Sequence, residues 1–452
     1  MLAVFDMKSL AFAALCLALP ALAQDTRKVV EPTVPTACTT LKAKLARAGT
    51  SIVPDDEDKL DTARIQAALD ACPPGKAVVL QPSAYRTDAF LSGPLHLRKG
   101  VTLVVDRGAY LFGSRNPRDY DVKPGLCGTI AEEGGSRGCV GLINGDGVAD
   151  AGIMGDGVID GRGGETILGQ PISWWNLADK ARAGGSQQAP RLIVLNRCDN
   201  FTLYRITLMN SPNFHVGYSG GNGFTAWGVR ILTPQRARNT DGIDPGNCQN
   251  VTITHCYIST GDDHVAIKAG GHVSHVTVAH NHFYAGHGIS VGSETYGGAD
   301  TIRVTDLLIQ GADNGIHLKS NITRGGLVHD VVFDDICIRE TQNPIFVETG
   351  YSAHASQAQN RPPDFKEILF RNIAVFGSGK VTLQGLDANH KLYLKFDNVT
   401  FADPGRIRVS TEHARISGFP LKVAGEDVTA SDQAGPGTPN ACTDKFVPFP
   451  LR

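Results

Sequence analysis

Apolar residues recur along the chain at the fixed offsets 0, 2, 5 and 7, and turn residues separate one set from the next. One set consists of Phe201, Leu203, Ile206 and Leu208. The same offsets return in sets that begin at Phe224, Val251, Ile302, Val331, Ile368 and Leu394, and a set beginning at Val276 differs only by Asn281 at offset 5. Each set predicts two short strands with alternate residues inward, joined by a two-residue turn.

The spacing of these sets predicts the architecture. Successive sets begin 23 to 37 residues apart. A strand repeat of this length is typical of a β-solenoid, in which each unit buries its apolar face only by stacking on its neighbours. We therefore predict an all-β chain folded as a single-stranded right-handed parallel β-helix. A β-sandwich is the competing architecture, but sandwich strands do not keep one offset pattern over so many units.

Two further patterns divide the chain. The segment from Leu41 to Cys72, which includes TARIQAALDAC, predicts an N-terminal helix that caps the open end of the solenoid. Lys8 precedes an apolar run over residues 10–19, and small residues follow it, as is typical of a secretory signal peptide. We expect residues 1–23 to be this signal and residues 24–452 to be one β-helix domain, secreted to an extracellular or periplasmic space.

The net charge and the hydropathy of the chain limit the classes of partner that it can bind. The formal net charge of −2 argues against nucleic acid, although a local basic patch would still suit an acidic polymer. The apolar run at the start is shorter than the roughly 20 residues of a membrane span, and no later stretch reaches that length. We expect a monomer without a nucleic-acid or membrane partner.

Export to an oxidising space favours disulfides. Of the ten cysteines, Cys16 lies within the predicted signal, so an odd number remains. We predict a Cys38–Cys72 bridge around the helix and a Cys127–Cys139 bridge around a glycine-rich loop. Inert buried thiols are expected at the cysteines in or beside predicted strands, which are Cys198, Cys248, Cys256 and Cys337.

In four neighbouring coils the chain turns after the repeat and enters a further strand. The first inward residues of these strands are expected at Ile243, Val265, Ile289 and Ile316. Two positions before them lie four polar residues, Asp241, Asp263, His287 and Asn314. If the coils are in register, these polar side chains form a column on rungs about 4.8 Å apart.

More polar residues adjoin this column. Asp262 lies one position upstream of it. His317 and Lys319 flank the inward Leu318, so both are expected to face outward beside the column. We therefore expect three carboxylates, an imidazole and an ammonium group to meet on one solvent-facing patch.

Crowded carboxylates resist ionising together, so at least one should keep its proton well above the usual Asp pKa of about 3.9. Glycosidic hydrolysis needs such a set, because one carboxylic acid protonates the leaving oxygen while a carboxylate activates water. Aspartates are also ordinary turn formers, and clustered carboxylates also suit Ca²⁺. His287 and Lys319 argue against calcium, and we expect no metal and no cofactor.

Three tripeptides carry a resemblance to a known family. Asn239-Thr240-Asp241, Gly261-Asp262-Asp263 and Gly286-His287-Gly288 are similar, in order and spacing, to signature motifs of the polygalacturonases. These are β-helical pectin hydrolases, and the segments SPNFHV and NPIFVETGY resemble the bacterial members. The resemblance implies hydrolysis, with inversion, of α-1,4-galacturonosyl linkages in polygalacturonate or pectin, which is an acidic polysaccharide.

The resemblance also implies roles for individual residues. Asp262 would be the general acid, with Asp241 and Asp263 holding the attacking water. His287 would adjust the protonation of the acid. Substrate contacts are expected from Asn239, His317, Lys319 and Tyr351, with Lys319 binding a substrate carboxylate and Tyr351 contacting the sugar.

The fourth motif departs from the family, because His317-Leu318-Lys319 stands where Arg-Ile-Lys is expected. Histidine is fully charged only below its pKa near 6.5, whereas arginine is always charged. The departure predicts weaker binding at neutral pH, a more acidic optimum, or a changed substrate such as rhamnogalacturonan or a decorated galacturonan. We expect polygalacturonate, because the three carboxylates and Lys319 are kept.

Other functions stay open at this point. The lack of an added N-terminal domain or long insertion favours an open groove and internal cleavage, with exo-action as the alternative. A pectate lyase has a similar solenoid but needs calcium and a strong base, and it releases unsaturated products. A non-catalytic adhesin or tailspike-like module would bind pectin and release no reducing ends.

Overall fold

The computed structural model describes residues 25–83, 87–132, 137–351, 360–423, 428–431, 437–439, 442 and 445–450. Most of the chain in these ranges is extended and stacks into a parallel β-helix, as predicted. An 11-stranded sheet forms one wall, a 24-stranded sheet wraps the rest of each coil, and a separate two-stranded antiparallel sheet joins two loops. No helix in the described ranges is long and apolar enough to cross a membrane.

The 11-stranded sheet is parallel throughout, and we call it the site sheet. Its strands are Leu95–His96, Ile143–Asp146, Ile193–Asn196, Val216–Ser219, Ile243–Gly246, Val265–Ile267, Ile289–Gly292, Asn314–Lys319, Asn343–Glu348, Gly379–Gln384 and Ile407–Glu412. The two-stranded sheet consists of Ile130–Ala131 and Ser186–Gln187.

The 24-stranded sheet contains the strands of the predicted repeat. Its strands are Ala37–Lys42, Leu45–Ala48, Ser51–Ile52, Lys76–Gln81, Thr87–Ser92, Val101–Val105, Tyr110–Gly113, Gly152–Met154, Val158–Asp160, Phe201–Tyr204, Thr207–Met209, Asn222–Trp227, Arg230–Leu232, Gln249–Thr254, Tyr257–Ser259, Val273–Phe283, Ala299–Gln310, Leu327–Val328, Val331–Arg339, Asp364–Phe365, Ile368–Phe376, Leu392–Phe401, Ala414–Ser417 and Val428–Ser431.

The 0, 2, 5, 7 pattern has a backbone cause. In each of the eight sets the residue at offset 4 has a left-handed φ, between 46° and 64°. These residues are Arg205, Gly228, His255, His280, Asp306, Asp335, Asn372 and Asn398. The left-handed residue bends the chain and shifts the alternation by one position, so the apolar side chains at offsets 5 and 7 point inward again. The polar Asn281 at offset 5 is fully buried. Its side chain can be buried because Oδ1 accepts a hydrogen bond from the Cys256 amide at 2.8 Å and Nδ2 donates one to the Ile253 carbonyl at 2.9 Å.

Helices are short and lie at the ends of coils or in loops. The described α-helices are Thr62–Ala71 and Trp174–Ala181, and the 3-10 helices are Pro54–Asp56, Pro117–Tyr120 and Pro404–Arg406. The helix Thr62–Ala71 is the predicted N-terminal helix, and its Ile65 and Leu69 are buried in the main core. It therefore covers the apolar end of the first coils.

Both predicted disulfides, Cys38–Cys72 and Cys127–Cys139, are confirmed. The prediction for Cys337 was wrong, because this residue forms a bridge with Cys442 instead of remaining a free thiol. Cys442 lies in the C-terminal tail, which runs back along the 24-stranded sheet and packs there with Leu308 and Ala374. The thiols of Cys198, Cys248 and Cys256 are buried and free, as predicted.

The Cys337–Cys442 bridge should stabilise the fold strongly, because it closes a loop of 105 residues. We expect Cys442→Ala to lower the free energy of unfolding by about 2–4 kcal/mol. Denaturant unfolding measures this loss, and the Cys337→Ala/Cys442→Ala double variant should lose little more than the single variant. Equal stability of wild type and Cys442→Ala would show that the bridge contributes nothing.

Candidate active site

Strand register decides where the polar column lies. The strands concerned pair through Ile243, Val265, Ile289 and Ile316, in this order. The polar residues two positions earlier therefore stand on neighbouring rungs at the edge of the site sheet, as predicted. They are Asp241, Asp263, His287 and Asn314.

Asp262 is the most accessible of the three aspartates, with 19% of its side chain exposed. Its Oδ1 accepts hydrogen bonds from His287 Nδ1 at 3.1 Å and from the backbone N–H of Asp263 at 2.9 Å. Burial raises the pKa of Asp262, but the His287 hydrogen bond and the charges around it outweigh burial and hold this pKa well below its ordinary value. The expectation of a raised pKa is therefore not met at Asp262.

His287 shows the complementary shift. Burial lowers the pKa of His287, but its hydrogen bond and charge interaction with Asp262 dominate and raise this pKa above its ordinary value. Its Nε2 lies 3.5 Å from Asp313 Oδ2, so a second carboxylate faces the ring. The proton of the Asp262–His287 pair therefore resides on the imidazole in the resting site.

Asp263 is 2% exposed and has both carboxylate oxygens engaged. Ser290 Oγ donates to Oδ1 at 2.8 Å, and Lys319 Nζ donates to Oδ2 at 2.8 Å. Burial lowers the pKa of Lys319, but the charge of Asp263 dominates and raises it, so the lysine stays charged. The pair forms a fixed, buried ion pair beside Asp262.

Asp241 is also buried and lies beside a second lysine. Lys268 Nζ is 3.1 Å from Asp241 Oδ2 and 3.4 Å from Asp244 Oδ2. Burial and the charge of Asp244 raise the pKa of Asp241 well above its ordinary value, and burial raises that of Asp244 to about 6. The predicted raised carboxyl pKa is thus confirmed at Asp241. His215 Nδ1 donates to the Asp241 carbonyl at 3.0 Å and fixes the turn.

His317 and Lys319 project from the site sheet on the predicted side, but neighbouring side chains cover both. His317 is 4% exposed, its ring stacks on Phe346 at 4.6 Å, and its Nε2 lies 3.2 Å from Glu348 Oε1. Burial lowers the pKa of His317, and the bond to Glu348 offsets this only in part. At neutral pH His317 is therefore uncharged.

Tyr351 and Asn239 complete the predicted set. The Tyr351 ring lies 5.4 Å from Lys319 Nζ and meets the His317 ring edge-on at 6.2 Å. Asn239 has a left-handed φ of 56°, and its Nδ2 lies 3.5 Å from Asp262 Oδ2. Its Oδ1 accepts from Gln187 Nε2 at 3.0 Å, which ties a loop to the site. Seven of the eight predicted site residues thus lie in one network of contacts, and the eighth, Asp241, interacts with the charges of Asp262 and Asp263.

A metal ion is the main chemical alternative at this cluster. One atom each of Asp262, Asp263 and His287 lies within 4.8 Å of the others, which is close enough to share an ion. The Lys319 ammonium already lies 2.8 Å from Asp263, and the protonated His287 ring lies 3.1 Å from Asp262. Two cationic groups thus occupy the positions that a cation would take, so this donor set does not suit calcium.

Comparison with known proteins identifies the family. The family model described as glycosyl hydrolases family 28 matches residues 126–417. The chain belongs to this family. A polygalacturonase of Ralstonia nicotianae is 38% identical over 93% of this chain and 92% of its own. An endo-polygalacturonase of Pectobacterium carotovorum subsp. carotovorum is 40% identical over 84% of this chain and 90% of its own.

A solved structure supports the same assignment. The polygalacturonase from Erwinia carotovora ssp. carotovora is 36% identical, covers 90% of this chain and 100% of its own, and superimposes with a TM-score of 0.78. Membership of family 28 makes the chain a glycoside hydrolase. The family therefore excludes the non-catalytic adhesin and the lyase.

Sequence reasoning missed Lys268 and Asp244. Asp244 follows the inward Ile243, and Lys268 follows the inward Ile267, so both point outward from the site sheet. Ile267 pairs with Val291, which places Lys268 beside Gly292, and Gly292 pairs with Lys319, so both lysines belong to one outward column. The register that locates Lys319 would also have located Lys268.

Proposed function

We propose that the protein hydrolyses α-1,4-galacturonosyl linkages inside polygalacturonate chains, with inversion at the anomeric carbon. One observation carries the proposal: an accessible Asp262, 3.1 Å from His287, lies beside two buried aspartates that are each in contact with a lysine. The curated relatives include endo-polygalacturonases that match along most of this chain. We further propose a secreted monomer whose signal, residues 1–23, lies outside the described residues, with residues 24–452 as one catalytic domain.

Asp262 is the proposed general acid. In the resting site its proton is stored on His287, 3.1 Å away. Transfer from Nδ1 to the carboxylate gives the carboxylic acid, which then protonates the leaving glycosidic oxygen. Because its pKa is low, Asp262 alone would be ionised and would have no proton to donate. His287 supplies this proton.

Asp241 and Asp263 are proposed to hold the attacking water. Asp241 Oδ1 is buried and has no hydrogen-bond partner among the described residues, and Lys268 on Oδ2 favours the ionised carboxylate, which can accept a proton from water. Asp263, with both oxygens engaged, positions this water and keeps Lys319 in place. Lys319 and Tyr351 are proposed to face the substrate, and an ammonium retains further donors for a sugar carboxylate.

Inversion needs its own test, because an oxygen of Asp262 lies within 4.8 Å of one of Asp263. Such a short separation is typical of retaining glycosidases, in which the second carboxylate is the nucleophile. Asp263 is a poor nucleophile because it is buried and bonded at both oxygens. Proton NMR of the first product distinguishes the two, since inversion gives the β-anomer first and retention gives the α-anomer.

Digestion of polygalacturonate, with product sizes followed over time, tests the function itself. Internal cleavage gives a rapid fall in viscosity and intermediate oligomers. Release of monomers or dimers from the start would indicate exo-action. Unsaturated products would overturn hydrolysis.

The pH profile should report the proton stored on His287. Because Asp262 raises the pKa of His287, the alkaline limb of kcat/KM should fall above pH 6.5, the ordinary histidine value. Activity is lost as pH rises through this limb, since the acid then has no proton. His287→Asn should move the limb towards acid pH and lower the rate at neutral pH. An unmoved limb would remove His287 from this role.

His317 gives a second prediction about pH. Because His317 is uncharged at neutral pH, His317→Arg should restore a positive charge and lower the KM for polygalacturonate by about fivefold above pH 7. Glu348 will take part of this charge, which limits the gain. His317→Gln, which adds no charge, is the matched control. An arginine variant without any gain above neutral pH would contradict the proposal.

A further inference from the structure

A cavity adjoins the carboxylate cluster on the side of the earlier coils. It encloses about 400 Å³, and Lys268 and Asp244 lie on its border with the cluster. Its other lining includes Arg137, Arg191 and Phe214. The cavity lies over the outward face of the site sheet, since Val194 pairs with Gly217 and Gly217 with Asp244. It is therefore a continuation of the same surface that carries the catalytic groups.

Glycines, which have no side chain, make this surface concave. Gly217 and Gly246 occupy outward positions where other rungs of the sheet carry bulky groups. A Cβ placed on Gly217 would lie 3.3 Å from the Arg191 guanidinium, so the arginine lies directly over this glycine. The floor is thus partly backbone, and the walls include three cationic and two acidic side chains, which are Arg137, Arg191, Lys268, Asp244 and Glu294.

Two arginines of the cavity lack a bonded acidic partner among the described residues, although the carboxylates of Asp244 and Glu294 also line it. Neither Arg137 nor Arg191 makes an ion pair or side-chain hydrogen bond with the described residues. Arg191 instead lies on the Phe214 ring, with Cζ 4.3 Å from its centroid, and Lys268 Nζ lies 4.5 Å from the same centroid. Burial and the charge of Arg137 lower the pKa of Arg191 to about 10. Arg137 is exposed and Arg191 is partly buried, and a guanidinium group without a carboxylate partner is available to bind an anion.

We infer that Arg191, with Arg137 and Lys268, forms a binding subsite for the free carboxylate of a galacturonate unit next to the bond that is cut. The guanidinium fork matches a carboxylate, and Lys268 of the cavity lies 3.1 Å from Asp241 of the cluster. Asp244 can accept a hydrogen bond from a sugar hydroxyl, because neither of its carboxylate oxygens accepts one from a described residue. A methyl ester at this unit removes the charge, so the subsite selects unesterified substrate. The inference rests on the proposed action on polygalacturonate.

The test compares Arg191→Gln with wild type on polygalacturonate and on a partly methyl-esterified preparation of the same polymer. The variant should raise the KM for polygalacturonate about tenfold, because one charged hydrogen-bond pair is lost, while kcat changes less. The variant's preference for the unesterified polymer, measured as the ratio of kcat/KM on the two substrates, should fall, because the charge of this galacturonate unit is no longer recognised. Arg191→Lys should keep most of the preference.

Arg107→Gln is the matched control, because Arg107 is an exposed arginine in the turn between two strands of the 24-stranded sheet and is paired with Asp156 at 3.1 Å. It should keep the wild-type KM and preference. A second measurement follows thermal unfolding in the Asp262→Asn background, where substrate is not consumed. There Arg191→Gln should leave the unfolding temperature of the free protein unchanged or higher, and it should reduce the rise that polygalacturonate causes.

The outcomes separate the two proposals. Wild type without activity on polygalacturonate would sink the proposed function. An active wild type with Arg191→Gln unchanged in KM, preference and ligand-induced stabilisation would overturn the subsite alone. The subsite would also be overturned if Arg107→Gln lost the preference equally, since the effect would then be one of net charge.

Discussion

Asp262→Asn should lower kcat on polygalacturonate by about a thousandfold, within the range that a general acid contributes. The amide keeps the size of the side chain and can still accept from the Asp263 amide, but it cannot deliver a proton. His287 then stores a proton that has no route to the leaving oxygen. Initial rates at several pH values measure the loss, and the alkaline limb should vanish with it.

Stability provides the control for this variant. Asp262 is partly exposed, and its removal breaks a pair with a histidine that still faces Asp313, so the unfolding temperature should change little. Asp313→Asn, at the second carboxylate facing His287, is the matched variant and should keep most of the activity. Wild-type rates in Asp262→Asn would remove this residue from the mechanism.

Lys319→Met should damage both stability and activity. Lys319 and Asp263 have side chains that are 8% and 2% exposed, and their atoms are 2.8 Å apart. Removing one partner of a buried pair leaves an uncompensated charge, which costs about 3–5 kcal/mol. We also expect kcat to fall, because Asp263 would no longer be held in place beside the water.

A paired variant separates the two effects of Lys319. Lys319→Met/Asp263→Asn removes both charges, so denaturant unfolding should recover much of the lost stability while activity stays lost. Lys268→Met, at the other lysine of the column, should be less destabilising because its side chain is 29% exposed. A Lys319→Met protein with wild-type stability would contradict the buried ion pair.

The sequence predicts the fold well because a solenoid repeats one local rule. The offsets around Phe201 or Val331 encode inward positions directly, and one left-handed residue per set explains their spacing. Tail contacts follow no such rule. Cys442 lies 105 residues beyond Cys337, and nothing in the strand pattern indicates that the C-terminal tail folds back onto that coil.

The candidate site divides in the same way. The column of Asp241, Asp263 and His287 follows from register alone, since each precedes an inward residue by two positions. The protonation states do not follow from it. A crowded cluster predicts one raised pKa, but its assignment to Asp241 rather than Asp262 depends on which carboxylate meets His287 and which meets Asp244.

The Cys337–Cys442 bridge has a consequence for how the molecule unfolds. Coils of a solenoid contact only their neighbours, so its ends would ordinarily fray independently of its middle. Here the last residues are bonded to a coil just beyond the one that carries Lys319. The terminal coils therefore cannot unfold while the tail stays bonded to an intact coil near the middle. Heat should inactivate the enzyme in one cooperative step, and reduction of the disulfide should divide this step into two.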